Sequence, residues 1–149
     1  MNQEKLNIEI DKLQRRRKFF SDHFPEIEGM KGHSFVQELD LPNTCPVCGF
    51  YSLGERDSWE ICGICYWEDD GQDEYNKDKV KGGPNGKHSL SSYRSAFYSE
   101  IEKSKESRTK SLIRKFHKLI EGKGKFDETE IKNLINQLEK EGDKLIKNK

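Results

Sequence analysis

Cys45, Cys48, Cys62 and Cys65 are all the cysteines in this chain of 149 residues, and they form two Cys-x-x-Cys pairs separated by 13 residues. The gap is slightly shorter than usual for a four-cysteine zinc site, yet it lets each pair occupy its own tight turn, the two turns facing one ion. Zinc takes soft, deprotonated ligands in tetrahedral geometry, and four thiolates without a histidine complete its shell. A closed shell leaves no position for a reactive water, so the expected metal is structural and the expected protein is not an enzyme. Iron in a rubredoxin-like site uses the same ligands, and a pair of dithiol redox centres is a third reading. Zinc is preferred because two coupled pairs fit a single tetrahedral site.

A metal cross-link suits the rest of the chain. Hydrophobic residues are 32% and charged residues 36% of it, leaving less apolar surface than usual to offset chain entropy. Lys+Arg and Asp+Glu are 27 each, which removes overall charge as an argument for nucleic-acid or membrane binding. The distribution is uneven: residues 41–100 are acidic and residues 101–149 basic. The N-terminal residues lack the basic-then-apolar pattern of a secretory signal, and no apolar run approaches the roughly 18 residues of a membrane span. A soluble, cytoplasmic protein is expected, in a reducing compartment where paired cysteines hold metal rather than form disulfides.

Along the chain, Leu6, Ile10, Leu13 and Phe20 recur at helical intervals until Pro25 ends the pattern. Within this helix the run Arg15-Arg16-Arg17-Lys18 reads as a solvated outer face. Gly29 and Gly32 suggest a connection, and residues 35–39 a strand or a helical turn. Residues 50–53 and 58–61 predict an antiparallel hairpin, turning at residues 54–57, that brings the cysteine pairs together. The stretch after Cys65 has no period and reads as a loop, followed by the turn signal Gly82-Gly83-Pro84-Asn85-Gly86.

Ser89 caps an expected helix with the stripe Leu90, Tyr93, Phe97 and Ile101. A second has Leu112, Ile113, Phe116, Leu119 and Ile120 on one side. A third opens on Asp127 and carries Ile131, Leu134, Ile135 and Leu138, fraying after Gly142. No internal repeat is visible. The expected fold is α+β: a small zinc ribbon with a β-hairpin (43–101), preceded by an N-terminal helix and connection (1–42) and followed by a helical extension (102–149). Two or three C-terminal helices flank the ribbon.

Several residues stand in a specific combination: Cys45-Pro46, Cys48-Gly49, Ile61-Cys62, Cys65, Trp67-Glu68-Asp69-Asp70, Gly82-Gly83, Asn85-Gly86, Ser89-Leu90 and Arg94. On these, residues 45–97 resemble the bacterial cysteine-rich CPCC family. Val47 stands at the third position of the family's CPCC run, where the family has a cysteine, and Tyr93 stands where the family has a small residue. The resemblance implies a small zinc-ribbon-like domain and suggests an immunity- or antitoxin-like neutralising role, without implying an activity.

The acidic run offers a partner-facing patch of Trp67, Glu68, Asp69, Asp70, Asp73 and Glu74. Solvated loop carboxylates are its ordinary reading, and core packing is the ordinary role of a tryptophan beside a cysteine turn. The leading expectation is a noncatalytic protein-interaction module using residues 68–78. The alternative is nucleic-acid binding through the basic helix 103–125, where Lys110, Arg114 and Lys118 fall four apart opposite the apolar side. The glycine turn lacks the ending of a P-loop. His23, His33, His88 and His117 show no paired spacing, and none is assigned to metal.

Overall fold

The computed structural model describes residues 1–23, 35–36, 41–42, 44–103, 107–122 and 126–147. Helix α1 (Gln3–His23) starts where the Asn2 side chain accepts the Lys5 amide, and it ends just before Pro25. The two-residue strands β1 (Phe35–Val36) and β2 (Leu41–Pro42) pair antiparallel. Residues 44–89 then wind through turns, with single 3₁₀ turns at Glu74–Asn76 and Gly83–Asn85. Helices α2 (Leu90–Lys103), α3 (Arg108–Glu121) and α4 (Glu128–Lys147) complete the chain.

Each later helix has a side-chain cap. Ser89 and Ser92 exchange backbone-to-hydroxyl bonds at the head of α2, Ser107 accepts the Lys110 amide for α3, and Asp127 accepts the Thr129 and Glu130 amides for α4. The apolar stripes expected on these helices turn inward. Leu90, Phe97 and Ile101, then Leu112, Ile113 and Phe116, then Ile131, Leu134, Ile135 and Leu138 join one core with Leu6, Leu13 and Phe20 of α1 and with all four cysteines. Phe116 touches Phe19, Phe20 and Phe50, with ring centroids 5.0 to 5.7 Å apart, so α3 closes over α1 and the first cysteine turn. Contrary to the expected fraying, α4 continues past Gly142, which is buried against the second cysteine turn.

The α+β expectation is corrected: the architecture is helical, and the hairpin between residues 50–53 and 58–61 is not formed. Its polar groups are bonded elsewhere. The Glu60 carboxylate accepts the Gly54 and Glu55 amides at 2.8 and 3.0 Å, and the Ser52 hydroxyl lies 3.0 Å from the Cys62 sulfur. Trp59, in the expected second strand, has φ of 64°, which a strand does not permit. Around the cysteines, among the described residues, extended pairing shrinks to one isolated bridge, Ile61 with Glu68. The connection at Gly29 and Gly32, and residues 37–39, lie outside the described residues.

Candidate metal centre

The two Cys-x-x-Cys segments fold into the same knuckle. In the first, the Cys45 amide donates to Phe50 O, the Gly49 amide to Cys45 O, and the Val47 amide points at Cys45 Sγ (2.8, 2.8 and 3.4 Å). In the second, Cys62 N bonds Trp67 O, Tyr66 N bonds Cys62 O, and Ile64 N points at Cys62 Sγ (2.9, 2.9 and 3.4 Å). Seventeen residues apart, Cys45-Pro46-Val47-Cys48-Gly49-Phe50 and Cys62-Gly63-Ile64-Cys65-Tyr66-Trp67 thus form a structural repeat that a search for sequence identity passes over. The shared signal is Cys-x-β-branched-Cys-x-aromatic, in which the branched and aromatic side chains are buried and the amides turn to sulfur.

The four sulfurs converge. All lie within 4.8 Å of one another, with Cys45–Cys65 at 3.4 Å and Cys48–Cys62 at 3.6 Å. A tetrahedral ion with metal–sulfur bonds of about 2.3 Å sets its sulfurs about 3.8 Å apart, so the cage has the size of one such ion, and the separations are far too long for disulfides. All four side chains are buried. Burial pushes the Cys45 and Cys65 thiols up, while at Cys62 burial is outweighed by bonds from the other cysteines and from Ser52, which hold it down. Four thiolates cannot share this volume without a cation to offset their charge.

The helices grip the knuckles through their backbone carbonyls. Pro46 O accepts from Arg94 Nε (2.8 Å), Val47 O from the Tyr98 hydroxyl (2.7 Å) and Cys48 O from Arg16 Nε (2.9 Å). Cys65 O accepts from the Tyr93 hydroxyl at 2.7 Å. Tyr93, noted for its bulk, is therefore a ligand-positioning residue, and it also packs edge-on against Trp67. Gly49, at φ 78°, lets α1 approach so closely that a Cβ there would stand 2.6 Å from Leu13 O. Gly142 of α4 does the same for the second knuckle, where a Cβ would lie 2.5 Å from Gly63 O.

The run Arg15-Arg16-Arg17-Lys18 splits in two. Arg15 and Lys18 face solvent, as expected, but Arg16 and Arg17 are buried. Arg17 makes a two-pronged ion pair with Asp73 (2.8 and 2.7 Å) and also reaches Thr44. Arg56 spans Asp69 and Asp73 at 2.7 and 2.9 Å. Despite burial, Arg17 and Arg56 hold the Asp73 carboxyl well below the usual carboxylate range.

This network overturns the acidic run as a partner-facing patch. Trp67, Asp69, Asp70 and Asp73 are at most 1% exposed, and only Glu68, in part, and Glu74 reach solvent. Glu74 itself bonds Arg94 and Gln14. Asn85, from the glycine turn, clamps Glu68 by donating to its carbonyl (2.7 Å) and accepting its amide (3.3 Å). The motif is thus a buried brace between the second knuckle, α1 and the turn. On the basic side, Arg114 and Lys118 are exposed on α3, while Lys110 is half-buried and lines a cleft with Glu9 and Glu102, which breaks the expected stripe.

A pair of knuckles closing four buried cysteines over one ion-sized cage defines a candidate metal centre. Residues 43–116 match the family described as Cysteine-rich CPCC, a segment running from just before the first knuckle into α3. No curated protein and no solved structure matches the chain. Among the described residues no helix is long and apolar enough to cross a membrane.

Proposed function

We propose that the chain is a zinc-binding, noncatalytic protein-interaction module. The observation that supports the reading is the cage: four buried sulfurs within 4.8 Å of one another, a set that would fill the shell of a zinc ion and leave no position for a reactive water. The metal's role is then to hold together a chain too polar to fold on apolar burial alone. With the acidic run turned inward, partner contact falls to Trp59 (55% exposed), Ile61, Tyr75 and Val80, which among the described residues are exposed along with Met1 and Ile8 of the N-terminal segment. Trp59 keeps a left-handed backbone while its amide donates to Asp69 O, so the buried acidic brace presents this ring to solvent. A neutralising, immunity- or antitoxin-like role is the form of interaction this reading favours.

The test is capture of partners by the zinc-loaded protein from its native cells, with nuclease treatment. A protein retained after nuclease and lost with Trp59→Ala supports the module. Retention by the Trp59→Ala variant refutes the surface, and release by nuclease refutes protein interaction in favour of nucleic acid.

A further inference from the structure

Four arginines, Arg16, Arg17, Arg56 and Arg94, have side chains no more than 5% exposed. Three of them meet carboxylates: Arg17 on Asp73, Arg56 on Asp69 and Asp73, Arg94 on Glu74. Arg16, fully buried, has no carboxylate partner among the described residues. Its guanidinium donates to Cys48 O, to the Tyr98 hydroxyl (3.0 Å) and to His117 Nε2 (2.9 Å), and lies 5.0 Å above the Phe50 ring. Every one of these partners is neutral. A guanidinium only donates, so His117 accepts at Nε2 and carries its proton on Nδ1, facing the half-exposed Glu121 at 3.2 Å.

A buried cation without a counter-charge is strongly disfavoured. Arg16 sits one hydrogen bond from a metal ligand, and four thiolates around a divalent ion carry two net negative charges. We propose that the metal–thiolate centre is the counter-ion of Arg16, which makes Arg16 a specificity-determining residue for the charge of the ion the cysteines hold.

The inference rests on the metal reading, and the experiment separates the two. Zinc affinity of the full chain is measured by competition with a chromophoric chelator for wild type, Arg16→Met and Arg16→Lys. The loss expected for Arg16→Met is 10- to 100-fold, the range typical of residues that support metal ligands, with most of it recovered in Arg16→Lys. His117→Glu keeps Arg16 and supplies it with a competing carboxylate, so it also weakens zinc binding. In iron-loaded protein, Arg16→Met moves the reduction potential to more negative values and Arg16→Lys restores it, because the lost positive charge opposed the thiolates. Equal affinities in wild type and Arg16→Met, equal losses in the Met and Lys variants, or an unchanged His117→Glu each overturn the proposal. Failure of wild type to bind any ion through its cysteines overturns the metal reading instead.

Discussion

The two knuckles share one backbone path and differ in what surrounds them. The first is enclosed by helices: three successive carbonyls, Pro46 O, Val47 O and Cys48 O, are taken by Arg94, Tyr98 and Arg16, and Gly49 lies under α1. In the second, one carbonyl is taken by a helix side chain. Tyr93 bonds Cys65 O, Gly142 packs on Gly63, and half-buried Tyr66, whose hydroxyl bonds Asp143, takes φ 63° where the first knuckle has glycine. Its flank leads to exposed Ile61 and Trp59. The first knuckle therefore joins the metal to the helical core, and the second joins it to the surface. One geometry serves both ends because the metal fixes the knuckles and leaves their outer faces free to differ.

The largest effect should be indifferent to which knuckle is cut. Cys45→Ser and Cys62→Ser each remove a ligand and forfeit most of the roughly 10 to 16 kcal/mol of apparent metal-binding free energy, so both should lose metal and unfold by circular dichroism. A stably folded, metal-free variant at either position would break the symmetry.

Next comes the brace behind the second knuckle. Arg17→Met takes the two-pronged partner from buried Asp73 and leaves it to Arg56 alone, which should cost about 2 to 3 kcal/mol in urea unfolding. Asp73 has a depressed folded pKa, so the stability it contributes is present above its ordinary value of about 3.9 and is lost as pH falls below that toward its folded value. The steep acid limb of wild-type stability should flatten in Arg17→Met. An unchanged limb would show that the pair does not govern acid unfolding.

The glycines compare the helix contacts directly. Gly49→Ala meets both a 2.6 Å clash and left-handed backbone, and Gly142→Ala meets only the clash. Losses of about 3 and about 2 kcal/mol are expected, and the reverse order by thermal unfolding would contradict a tighter first knuckle. Smallest are the tyrosines. Tyr98→Phe, which also leaves Arg16 short of an acceptor, should cost about 1.5 kcal/mol and Tyr93→Phe about 1 kcal/mol by the same thermal unfolding.

Much of this was legible in the sequence, because period and caps report local physics. Helix α1, the Ser89 and Asp127 caps and the stripes of α2 to α4 follow from spacing alone. The hairpin was not, since backbone groups of its two expected strands bond elsewhere: Ser52 N to Phe50 O, Trp59 N to Asp69 O, and Glu60 O from Asp69 N. Charge was the other blind spot. Arg16 and Arg17 fall at i+3 and i+4 from Leu13, with Phe20 at i+7, so they occupy the apolar stripe itself. That signal was present, but the four-residue basic run made it look like a solvated face. In the same way Asp69 and Asp73 read as surface acids until Arg56, from the far side of the second cysteine pair, supplied the partner.

The central claim is that four thiolates, two from each knuckle, enclose one zinc ion. X-ray absorption at the zinc edge of the freshly purified chain, with total metal analysis, tests it most directly. One zinc per chain with four sulfur neighbours at about 2.3 Å is predicted. One iron per chain, or nitrogen or oxygen among the nearest neighbours of the metal, would contradict it.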